Sequence, residues 1–141
     1  MWKEFVTSFV GNNKYIKPNS PATIKQVQEV ESKLGVLLPK DIKDLLFELN
    51  GDSDLILSTE CIIEDNLRLR EYKEDLVNIE NYLLIASNGC GDYYGYEITK
   101  DGIKDESIYM WNHEEYDEDF NFIKVASNLK ELIELKYNGI I

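Results

Sequence analysis

The sequence predicts an α+β protein, a mainly antiparallel meander of strands packed with N-terminal helices and a C-terminal helix. Three observations carry that class. Apolar residues recur at helical spacing between Trp2 and Leu49, the period shifts to two from Tyr82 onward, and a capped helical stripe returns after Ala126.

Trp2, Phe5, Val6, Phe9 and Val10 share one face of a short amphipathic helix that ends at Gly11-Asn12-Asn13. Thr23 suits the cap of a second helix, with Gln26 three residues on to complete a capping box. Ile24, Val27, Val30 and Leu34 then form its apolar face. Gly35 fits a left-handed C-terminal cap, and Pro39 fits the first turn of the next helix. That third helix buries Ile42, Leu45, Leu46 and Leu49 and stops at Asn50-Gly51. Leu55 to Leu57 predicts a short strand, and Ile62, Ile63 and Leu67 a further helical turn or two. The polar stretch from Glu71 to Asn81 has no firm period and predicts a connection with some local helix.

Leu83-Leu84-Ile85-Ala86 then predicts a buried strand, joined through the turn Asn88-Gly89-Cys90-Gly91-Asp92 to a second strand from Tyr93 to Ile98. A turn at Lys100-Asp101-Gly102 leads to a strand near Ile108 to Trp111, and Phe122 to Val125 forms the last strand. Asn128 or Ser127 caps the final helix, whose stripe is Leu129, Leu132, Ile133 and Lys136, with Glu131 placed to return to the cap. No repeat or linker divides the layout, so one domain over residues 1–141 is expected, long enough to hold a core without staples.

Charge limits the partners. Fifteen basic against 27 acidic residues give a net charge of −12, which repels nucleic-acid phosphates and anionic lipid and favours encounter with a basic protein. The same charge also serves solubility alone. Residues 1–10 lack an apolar run of secretory length, and charges interrupt every apolar segment, so a cytoplasmic location without membrane contact is expected. Cys61 and Cys90, far apart, with His113 the one imidazole, predict free thiols and no metal or cofactor.

Catalytic motifs are weak. Gly89-Cys90-Gly91 with Gly95 imitates a phosphate loop, but strand pattern follows where that loop needs a helix N-terminus, and no lysine follows the glycines. A cysteine nucleophile would need His113 as its base, and both cysteines fall on segments that read as packed. Glu114, Glu115, Asp117, Glu118 and Asp119 form a dense acidic run whose spacing does not fit the calcium-loop template. That run reads as a solvated loop, as a patch facing a basic partner or, third, as a site for a divalent ion. Alternation sets Tyr94, Tyr96 and Ile98 on one strand face and Tyr93 with Glu97 on the other. The second face, with Tyr109 or Trp111, is either a tyrosine-rich binding surface or ordinary packing under a covering N-terminal segment. The candidate partner-binding residues are thus Asp92, Tyr93, Trp111, Glu114, Glu115, Asp117, Glu118 and Asp119.

The ordered pieces Glu31-Ser32-Lys33-Leu34-Gly35, Leu38-Pro39-Lys40-Asp41-Ile42-Lys43, Leu49-Asn50-Gly51, Ile85-Ala86-Ser87-Asn88-Gly89, Gly91-Asp92-Tyr93-Tyr94 and Val125-Ala126-Ser127-Asn128-Leu129 resemble the SUKH superfamily. The likeness is to the branch related to the yeast cell-wall-assembly regulator. One departure is Ile42, where the family often carries an aromatic. The resemblance implies an immunity protein that binds a cognate polymorphic toxin, commonly a nuclease, with no catalytic residues and no cofactor of its own. A regulatory interaction module, as among fungal relatives, is the second implied reading. A hydrolase assisted by the acidic run is a third, carried by carboxylate density alone.

Overall fold

The computed structural model describes residues 1–11, 17–76, 78–113 and 122–141. Helix α1 spans Trp2–Val10, α2 Ile24–Leu34, α3 Lys40–Glu48 and α4 Thr59–Arg70. After a 3₁₀ turn at Ile79–Asn81 come β1 (Tyr82–Ser87), β2 (Tyr93–Thr99), β3 (Gly102–Ile103), β4 (Ile108–Trp111), β5 (Phe122–Ala126) and α5 (Leu129–Tyr137). The strands form an open antiparallel sheet in the order β1-β2-β4-β5, with the short β3 paired to the end of β2. This is the predicted class, helices at both ends around a meander.

Local chemistry explains where the helices begin and stop. The Thr23 hydroxyl accepts the Gln26 backbone N–H at 3.1 Å while the Gln26 side chain accepts that of Thr23 at 2.9 Å, so two orphan donors of α2 are satisfied reciprocally. Gly35 ends the helix in the left-handed region (φ 67°). Pro39 is the N-cap of α3 rather than its first helical residue, and α3 ends at Glu48 with Leu49 extended but fully buried. Ile24 departs from its predicted place on the core face and is 68% exposed. It is the first residue of α2, one turn short of where Val27 and Val30 meet the core.

Two predictions in the middle of the chain are corrected. Residues 55–57 do not form a strand, because the fully buried Asp52 gathers the backbone N–H groups of Asp54, Leu55 and Ile56 on its Oδ1. That turn leaves only an isolated bridge between Ile56 and Ala86. The turn or two expected after Thr59 is instead a helix of 12 residues. Its buried positions are Thr59, Ile62 and Asn66, so polar residues interrupt the apolar period that would have announced it.

One face of the sheet carries the main core. Leu83 and Ile85 of β1, Tyr94 and Tyr96 of β2 and Ile108 of β4 pack with Val6, Val30, Leu45, Leu46, Ile62 and Leu132. Full burial of each such aliphatic side chain contributes roughly 1.5–3 kcal/mol over exposure. The buried phenol of Tyr96 donates to Asp41 Oδ1 at 2.8 Å and the half-buried one of Tyr137 donates to Asp52, so each hydroxyl drawn from water finds a carboxylate. Burial and the Asp52 carboxylate hold the Tyr137 phenol well above its ordinary value. Cys90 stands exposed, contrary to the packed position expected, because it lies in the β1–β2 turn between the exposed Gly89 and Gly91 and not on a strand. Cys61 is half-buried, and both thiols are free.

Candidate functional site

The opposite face of the sheet is where the candidate residues meet. Alternation and register bring Tyr82 and Leu84 of β1, Tyr93 of β2, Tyr109 and Trp111 of β4 and Phe122 of β5 onto it. At one end Leu84, Tyr93 and Trp111 form a small second core with Ile79. Tyr93 is 9% and Trp111 6% exposed, with ring centroids 6.3 Å apart. Among the described residues their cover comes from Ile79 of the 3₁₀ turn, with Leu69 of α4 and Leu76 packed alongside, so this end of the face is packing, though by a segment other than the N-terminal one weighed as its cover.

Polar contacts fasten that end. The Tyr93 hydroxyl donates to Asp65 Oδ2 at 3.0 Å and accepts from Arg68 Nη2 at 3.1 Å, which ties β2 to α4. Burial, reinforced by Asp65, raises the Tyr93 phenol above its ordinary value. Asp92, one residue earlier, accepts from the His113 backbone N–H at 3.0 Å, lies 2.7 Å from His113 Nδ1 through the same Oδ1, and accepts from Asn88 Nδ2 at 2.9 Å. Burial alone would raise the Asp92 carboxyl, but these bonds hold it below the usual range. Gly91 is needed here, since a Cβ at its φ of 101° would meet the His113 ring at 3.0 Å.

The remainder of this face stays partly open. Tyr82 and Phe122 stack with centroids 3.6 Å apart and planes within 4°, and Tyr109 meets Tyr82 edge-on at 5.5 Å. All three rings are half-buried. Burial, with Glu97 beside it, pushes the Tyr82 phenol up to about 12. Beneath them β2 must carry glycine: a Cβ on Gly95 would fall 2.1 Å from the Leu83 carbonyl oxygen, where the β1 register shifts.

The site residues inferred from sequence are therefore divided. Asp92, Tyr93 and Trp111 come together at one end of the sheet, where β1 ends, β2 begins, β4 ends and β5 begins. Glu114, Glu115, Asp117, Glu118 and Asp119, between β4 and β5 in sequence, lie outside the described residues. Sequence reasoning missed Tyr82, Phe122, Asp65 and Arg68. Tyr82 was signalled by its two-residue spacing from Leu84, while Phe122 required the β4–β5 pairing and Asp65 the full length of α4. Among the described residues no cluster of His, Cys, Asp and Glu is arranged to hold a metal ion.

Fold and site together define an α+β domain with one sheet face given to the core and the other to a partly open aromatic strip. A model of the SMI1/KNR4 family (SUKH-1) matches residues 21–135, and the chain belongs to that family. An uncharacterized protein of Bacillus subtilis (strain 168), YnaB, is 34% identical to it over 93 residues, 60% of this chain. The match spans 64% of that relative's length. Among the described residues no helix is long and apolar enough to cross a membrane.

Proposed function

We propose that the chain is a cytoplasmic immunity protein that binds and neutralises a cognate polymorphic toxin, a basic nuclease domain, without catalysing a reaction. The observation that carries this reading is the half-covered aromatic strip of Tyr82, Tyr109 and Phe122, continuous with the Tyr93–Trp111 pair. Rigid aromatic rings, packed from behind and open in front, are the surface type that concentrates binding energy. Membership of SUKH-1, a family associated with protein partners, supports the same reading. The net charge of −12 suits a toxin made basic by its own need to bind nucleic acid.

In this scheme Tyr93 and Trp111 are the packed shelf of the contact, and Asp92 fixes the turn at its end. Glu114, Glu115, Asp117, Glu118 and Asp119 steer the toxin during encounter. Replacing those five carboxylates by amides should slow association by roughly 10-fold or more at low salt and flatten its salt dependence, with dissociation little changed. Stopped-flow association at two ionic strengths reads this directly, and fast, salt-insensitive binding by the amide variant removes the loop from the proposal. The reading as a whole is tested by co-expression with the product of the adjacent gene: rescue of growth and binding at micromolar concentration are expected. A neighbour that is neither toxic nor bound would end it.

A further inference from the structure

The two edges of the sheet are finished differently. The outer edge of β1 is closed: the Leu57 N–H donates to Ile85 O at 3.0 Å and the Ser87 N–H to Leu55 O at 2.9 Å. The buried Asn66 side chain completes the seal, accepting from Leu84 N–H at 2.9 Å and donating to Leu84 O at 2.8 Å, as a neighbouring strand would. Among the described residues the backbone of β5 pairs only with β4, and no other described backbone group bonds the outer N–H and C=O groups of the strand. Beside them stand Ile123, 47% exposed, and the half-buried Phe122 and Val125. An open edge flanked by apolar side chains on both faces is a template for another strand.

We propose that an extended segment of a basic protein partner adds to this edge as a strand alongside β5. A second copy of the chain is the poorer occupant. Antiparallel pairing of β5 with itself about its centre sets Lys124 against Lys124, and it brings together two chains of net charge −12. A segment with apolar residues on the face of Ile123, neutral residues on the face of Phe122 and Lys124 and basic residues at its ends meets the edge, its side chains and the net charge at once. Main-chain bonds supply affinity and the alternating side chains supply selectivity. The proposal rests on the partner-binding reading above and adds the geometry of the contact.

The probe is a synthetic peptide, Arg-Arg-Val-Thr-Val-Thr-Val-Arg-Arg, added to the isotopically labelled full chain. Expected are slowing of amide exchange within Phe122–Ala126 by about tenfold or more at saturation, and no such slowing in β1. Two N-methylated peptides complete the test without altering the protein, one blocked on its valines and one on its threonines. Only the set of N–H groups that faces β5 matters, so one blocked peptide should bind at least about tenfold more weakly than the other. Equal binding by both, or protection mapping away from β5, means charge attraction alone and overturns strand addition. A chain that rescues cells from its toxin while β5 exchange stays unchanged likewise overturns strand addition and leaves the immunity reading standing.

Discussion

The two faces of the sheet are built from similar residues and used differently. On the core face Leu83, Ile85, Tyr94, Tyr96 and Ile108 are buried, and the Tyr96 hydroxyl donates to the Asp41 carboxylate. On the other face Tyr93 and Trp111 are closed over by the segment after α4, while Tyr82, Tyr109 and Phe122 stay half-buried. Aromatic content does not separate the faces, because each carries tyrosines. What separates them is how far helix and turn reach across. Burial on one face secures the fold, and incomplete burial on the other leaves rigid rings available to a partner.

The widest test of that contrast is a truncation on each face. Leu83→Ala, deep in the core, should cost about 2–5 kcal/mol of unfolding free energy, since the lost transfer term is joined by a cavity with no room to collapse. Phe122→Ala removes a ring of larger size, yet it should cost only about 1 kcal/mol of stability, mostly the stacking with Tyr82. The same variant should weaken toxin binding by more than about 1 kcal/mol. Urea titration and calorimetry of the two variants decide between the faces. Equal stability losses would show that the aromatic strip is core after all.

How much of this was readable in the sequence depended on distance along the chain. The Thr23–Gln26 box, the Gly35 cap and the Asn128 cap are local, and each stands where its residues put it. The strands from Tyr82 to Ala126 were visible because turn residues punctuate a clean period of two. Long-range pairing was not visible. Asn66, a polar residue buried mid-helix, makes sense only once Leu84 lies beside it, so α4 looked shorter than it is. Asp52 reads as an ordinary loop residue until its carboxylate is seen holding three backbone N–H groups and Tyr137. The aromatic face was foreseen in Tyr93, Tyr109 and Trp111, but its open half needed the stacking of Tyr82 on Phe122. α1 lies outside the span matched to the family, yet it contributes Trp2 and Val6 to the core and stacks Phe9 on Tyr137 at 5.8 Å.

The smallest effect expected is one of pH, and it concerns the closed end of the aromatic face, where polar contacts of Asp92 adjoin the Tyr93–Trp111 packing. The Asp92 carboxylate joins the β1–β2 turn to the end of β4 through Asn88 and His113, and its folded pKa lies below the ordinary 3.8. A carboxyl with a depressed folded pKa favours the folded state wherever it is ionised in both states. Its contribution is therefore fully present above pH 3.8 and disappears as pH falls through the lower folded value. Asp92→Asn keeps the shape but not the charge, so it should lower the urea midpoint at pH 7. The gap from the parent should then narrow in titrations carried below pH 3.8. Leu83→Ala, an apolar truncation, should show a gap that does not change over the same range. A gap for Asp92→Asn that is equally insensitive to pH would mean that the turn is held by shape alone, and that the two faces end in the same kind of packing.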